Sequence, residues 1–163
     1  MSDNFDFATA IKAGLRLGQE RLKIKDRINE ILNKFADELQ KIISEENGNT
    51  ILVQKKHIIR RKKISRLAAL ATIGLEEPPI EEEYDAICLF DTSTSDDPFV
   101  VFRYEINAER GYPCEVQYAS NSFSCNDEKT LVASIQNAMK YRGLAISEKV
   151  RELVNNSNKK EKQ

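Results

Sequence analysis

The chain has 163 residues, enough for one ordinary core or a small core with an appendage. Charged residues make up 31% and aromatics 7%, with no Trp; that mix excludes wholesale disorder and suits a helix-rich protein with a core of Ile, Leu, Val and a few Phe and Tyr. The formal net charge of −1 conceals two opposed blocks in the middle of the chain.

At the N-terminus, MSDNFDFATAIKAG carries two acids before its first Lys. A secretory leader starts basic and runs on as an unbroken apolar stretch, and no apolar run here approaches the roughly 20 residues that span a bilayer. A cytoplasmic location without a transmembrane segment is therefore expected. Residues 5 to about 46 read as one long helix inside an N-terminal unit, 1–48. Ile28, Leu32, Phe35, Leu39 and Ile42 follow one another at steps of four, three, four and three, a heptad seam suited to a coiled coil. Ile24 and Ile31 widen that stripe, so it equally suits packing on the subunit's own core. Glu30 with Lys34 and Asp37 with Lys41 stand four apart and support the solvent face. Upstream, Ala10, Gly14 and Gly18 repeat every fourth residue, which permits close helix approach or weakens the helix.

Asn47-Gly48-Asn49 stops the helix. Residues 49–75 form a basic strand–helix segment, with a strand over 51–59 and a short helix over about 61–73. Gly74 and Pro78-Pro79 end it, and 76–83 reads as an acidic, proline-stiffened linker. Within this stretch Lys55, Lys56, Arg60, Arg61, Lys62, Lys63 and Arg66 come with no acid between Asn47 and Leu75. Then Glu76, Glu77, Glu81, Glu82, Glu83, Asp85, Asp91, Asp96 and Asp97 come with no base before Arg103.

The compact unit, 84–155, shows three strands, Tyr84–Phe90, Phe99–Ile106 and Pro113–Phe123, joined by connections short enough for an antiparallel meander. Asn126 is the expected N-cap of a helix carrying Leu131, Ile135, Ala138 and Met139, closed by Gly143. Ser147 caps a last helix with Val150, Leu153 and Val154, and 156–163 forms a flexible tail. The fold class is α+β: a long N-terminal helix, a short basic strand/helix segment, and a three-stranded antiparallel meander covered by C-terminal helices.

No catalytic, metal or cofactor constellation emerges. His57 is the one histidine, so a histidine-based metal set is excluded. Cys88, Cys114 and Cys125 lack CxxC spacing and are expected to be buried, reduced thiols; a Cys114–Cys125 bridge is chemically open, but nothing requires it. A Cys–His pair requires His57 to meet one of these thiols, and a nuclease-like pair requires Asp97 to meet Glu115. A helix-turn-helix over 63–74 fails because the next segment is acidic and broken by prolines. The leading expectation is a non-enzymatic accessory or regulatory subunit. It oligomerises with itself, or pairs with another protein, through Ile28, Leu32, Phe35, Leu39 and Ile42. The alternative is a nucleic-acid binder of no sequence specificity that places Lys55, Lys56, Arg60, Arg61, Lys62, Lys63 and Arg66 on DNA or RNA phosphates.

Overall fold

Part of each charge block lies on one strand of an antiparallel pair, Lys55, Lys56, Arg60 and Arg61 on the first and Glu81, Glu82, Glu83, Asp85 and Asp91 on the second. In the computed structural model, which describes residues 6–48, 50–62, 80–92 and 97–160 (with the side chains of 157–160 left aside), β1 (Ile51–Arg61) runs against β2 (Ile80–Asp91). His57 stands opposite Asp85, Ile59 opposite Glu83 and Arg60 opposite Glu82. Opposite charges on facing positions stabilise a strand pair, and like charges there destabilise it. The sorting of bases into one strand and acids into the next thus favours this register.

The sheet continues through β3 (Phe99–Asn107), β4 (Gly111–Tyr118) and β5 (Asn121–Cys125), in the order β1-β2-β3-β4-β5 with every neighbour antiparallel. The sheet therefore has five strands where the sequence pattern suggested three. The segment read as a single strand over 113–123 divides at a turn, where Ala119 takes a positive φ. The basic strand joins the same sheet instead of standing in a separate segment. Ile80–Glu83 of the expected linker are strand. The helix expected over about 61–73 lies almost wholly outside the described residues.

Helix α1 (Phe7–Asn47) precedes the sheet and α2 (Glu128–Lys160) follows it. Both pack on one face. Ile28, Leu32 and Leu39 of α1 and Leu131, Ile135 and Ala138 of α2 share a core with Ile51, Val53, Ile87, Leu89, Phe102, Cys114 and Val116. Between β2 and β3 the register shifts: Ile87 faces Phe102 but Cys88 faces Val100. The extra residue is Val101, and such a bulge lets both Val101 and Phe102 be buried. α1 and β1 contribute side chains to the same core as the later strands and α2.

α2 is continuous through Gly143 and Ser147, where two helices were expected, and it reaches Lys160 in the expected tail. Ile146, Val150 and Leu153 carry its buried stripe onward, and packing of that stripe outweighs the roughly 1 kcal/mol a helical Gly costs against Ala. Its N-cap is Asp127, one residue later than expected. The Thr130 N–H donates to Asp127 Oδ1 at 2.7 Å, and the Asp127 N–H donates back to Thr130 Oγ1 at 3.1 Å. The Thr130 N–H, and then the Thr130 hydroxyl donating to Asp127 Oδ1 at 2.8 Å, hold the Asp127 carboxyl below its ordinary range. On α1, Lys34 and Lys41 pair with Glu38 and Glu45 at 4.0 and 3.9 Å, not with Glu30 and Asp37.

α1 crosses the sheet diagonally. Near its C-terminus it lies over the start of β1. Near its middle, Ile24 and Ile28 pack on Gly111 at the β3–β4 turn, and the Lys25 ammonium bonds the Ala108 carbonyl. N-terminal to Ile24 the helix leaves the sheet behind.

Candidate interaction surfaces

Within β1 the basic run is engaged inside the subunit. The Lys55 ammonium donates to Asn29 Oδ1 on α1 at 3.0 Å, and Lys56 lies 4.7 Å over the Phe90 ring. Arg60 stands 3.9 Å from Glu82, whose other oxygen takes Arg103; the Arg103 guanidinium also stacks on Tyr84 at 3.7 Å. Arg61 also has an interaction of its own, and Lys62 is exposed. Lys63 and Arg66 lie outside the described residues. The strand pairing thus sets acids directly behind the cations.

His57 belongs to the same clasp. Its Nδ1 is 2.8 Å from Asp85 and its Nε2 is 2.9 Å from Glu83. Only the imidazolium donates from both nitrogens. The hydrogen bond to Asp85, then that to Glu83, raises the His57 pKa above its ordinary value. Neither ring nitrogen is left for a thiol. The three cysteines are free and buried, and burial pushes the Cys88 thiol up to about 11 and the Cys114 thiol up to about 12. A thiol held protonated is a poor nucleophile. Asp97 precedes β3 while Glu115 pairs with Glu105, eight residues along; at about 3.3 Å per residue this separates them by roughly 25 Å. Glu115 instead accepts from Ser122 and Gln117. Among the described residues no group of three His, Cys, Asp or Glu is placed to hold a metal. No described helix is long and apolar enough to cross a membrane.

β1 is an edge strand, and its outer backbone row is partly closed by a side chain the sequence did not single out. Gln40 Nε2 donates to the Ile51 carbonyl at 2.9 Å, and the Val53 N–H donates to Gln40 Oε1 at 2.6 Å. One carboxamide thereby stands in for a neighbouring strand. These bonds establish that odd-numbered residues of β1 point their N–H and C=O outward, since β1's even-numbered residues pair with β2. Beyond Gln40, no partner takes the outer N–H or C=O of Lys55, His57 or Ile59 among the described residues. Nothing in the sequence around Gln40 marks this role, which depends on α1 overhanging the edge.

The stripe expected to form an oligomer seam lies mainly against the subunit's own sheet. Ile28, Leu32 and Leu39 are buried, Phe35 packs on Phe102 with ring centroids 5.4 Å apart, and Ile42 alone of the five is exposed. The solvent-exposed apolar surface of α1 lies upstream. Phe7, Ile11, Leu15 and Leu22 keep 59–68% of their surface. At 100° per residue they share an arc of about 100° with Gly14 and Gly18. No charged residue between Phe7 and Ile24 falls in that arc, while Lys12, Arg16, Glu20 and Lys23 lie opposite. The spacing of Phe7, Ile11, Leu15 and Leu22 was visible in the sequence; their exposure was not.

Comparisons of the chain with protein-family models, with curated proteins and with solved structures each return no match.

Proposed function

We propose that this protein is a non-enzymatic interaction module whose N-terminal helical arm pairs with the arm of a second copy. One observation carries the reading: an amphipathic arm that continues a packed helix for nearly five turns, with its apolar face turned to solvent. Residues 7–23 extend about 25 Å past the sheet at 1.5 Å per residue. Gly14 and Gly18 each cost the helix about 1 kcal/mol relative to Ala. Among the described residues nothing lies within 4 Å of a Cβ built at either position, so no packing among them explains these glycines. On the face of a helix pair they let the two backbones approach closely.

The energetics suit a reversible dimer. Burying a large apolar side chain fully is worth about 1.5–3 kcal/mol, and some 60% of that remains available at Phe7, Ile11, Leu15 and Leu22. Eight such side chains in two antiparallel arms contribute roughly 10 kcal/mol, against an association cost of about 4–15 kcal/mol. The balance corresponds to micromolar or weaker association. Sedimentation equilibrium between about 1 and 200 µM should therefore show a monomer–dimer transition. In Ile11→Glu/Leu15→Glu, with both side chains already in solvent, the fold should persist and the dimer vanish. A wild-type protein that stays monomeric throughout, or a double variant that dimerises as well as wild type, overturns the reading.

A further inference from the structure

A second surface, independent of the arm, is the outer edge of β1 beyond Gln40. We propose that the edge from Lys55 to Ile59 accepts an extended acidic peptide as a sixth strand of the sheet. An unpaired row of N–H and C=O groups is a template for strand addition, and proteins commonly guard such rows with charge. Here Gln40 closes the row at Ile51 and Val53 and, among the described residues, leaves the next three outward residues, Lys55, His57 and Ile59, open.

The chemistry of the occupant follows from the strand on the inner side. β1 already pairs with one acidic strand, β2, in a register that sets Arg60 against Glu82 and His57 against Asp85. A second acidic strand on the outer side repeats that arrangement, with the cationic row between two anionic ones. Along β1 the side chains alternate. Lys56 and Arg60 project on the open face of the sheet, and His57 and Ile59 project on the helix-covered face. The matching peptide alternates acids with β-branched apolar residues.

The same features disfavour the competing occupants. A second copy's β1 would set lysines and arginines against one another. A second copy's β2 has both edges taken, by β1 and β3. A nucleic acid uses cations but not a row of alternating backbone donors and acceptors.

The test uses the full chain and a fluorescein-labelled (Glu-Val)4 peptide, with a twelve-residue oligothymidylate as comparator. Anisotropy titration should show the peptide binding, about tenfold more weakly in 500 mM than in 50 mM salt. Ile59→Pro removes only an outward N–H and leaves the ladder to β2 intact, so far-UV circular dichroism should be unchanged while peptide affinity falls at least tenfold. Lys56→Gln/Arg60→Gln should weaken binding severalfold and flatten its salt dependence. In the wild-type protein, peptide should slow amide exchange at Lys55, His57 and Ile59, a readout that does not depend on any variant folding. Three results overturn the proposal. One is an affinity within twofold of wild type in folded Ile59→Pro. Another is oligothymidylate binding at least as tightly as the peptide. The third is amides at Lys55, His57 and Ile59 that are already protected without peptide, or that are not slowed by it.

Discussion

Replacing Gly111 by alanine tests the diagonal crossing of α1 over the β3–β4 turn. Gly111 has φ +85°, and a Cβ there would stand 2.7 Å from Ile24 Cγ2 and 3.5 Å from Ile28 Cδ1. The left-handed backbone costs an L residue about 1–2 kcal/mol. The contact to Ile24 lies inside van der Waals distance, so one side must give. Ile24 keeps 38% of its surface and has room to turn, at an off-rotamer cost of about 0.5–1.5 kcal/mol. The helix cannot simply lift, because the Lys25 ammonium is bonded to the Ala108 carbonyl on the same turn. The sum is about 2–3 kcal/mol, which for a chain of this size lowers Tm by roughly 4–12 °C. Urea and thermal denaturation followed by circular dichroism measure it. The decisive arm is the Ile24→Ala background, where the steric part disappears and only the backbone part remains. There the cost of Gly111→Ala should fall by about 0.5–1.5 kcal/mol. Equal costs in the two backgrounds, or a single variant within about 0.5 kcal/mol of wild type, would refute the docking of α1 on this turn.

Two further expectations concern the clasp and the core. As the one histidine, His57 gives a single imidazole signal whose NMR titration should lie above the ordinary value of about 6.5. A raised folded pKa means that the clasp contributes its stability below about pH 6.5 and loses it as pH climbs through the folded value. Denaturation midpoints should accordingly fall between pH 6 and pH 8 in wild type more than in His57→Gln, and Asp85→Asn should return the titration toward 6.5; a wild-type value at or below 6.5 removes the clasp. The buried Cys88, Cys114 and Cys125 thiols should resist a disulfide reagent such as DTNB at pH 8 in the native protein and all react in guanidinium. Rapid native labelling of any of them would contradict their burial.

Patterns confined to one element were legible in the chain. The long helix, the strand over 99–106 and the apolar stripe from Leu131 to Met139 each declare a period of 3.6 or 2 within a dozen residues, and the strand over 84–90 shows as a short apolar run. The opposed charge blocks were equally plain, but their meaning was not. Read along the chain they suggested a polyanion surface followed by a linker. In space they are facing strands, because β1 and β2 are antiparallel partners across a connection whose pairing no local period announces. The break expected at Gly143 failed for a related reason: helix propensity is a local preference of about 1 kcal/mol, and a stripe packed on a sheet outweighs it.

What the sequence by itself determined is which residues share a face of a helix or strand, since that follows from backbone geometry alone. Which faces find a partner was decided only by the tertiary structure. On α1, Ile28, Leu32 and Leu39 meet the sheet, whereas Phe7, Ile11, Leu15 and Leu22 remain in solvent, although both sets repeat at helical spacing. The difference arises because the helix outruns the sheet it crosses, and burial depends on what lies opposite a side chain. The same reason hides Gln40, whose carboxamide becomes an edge clamp because the diagonal of α1 carries it past the rim of β1.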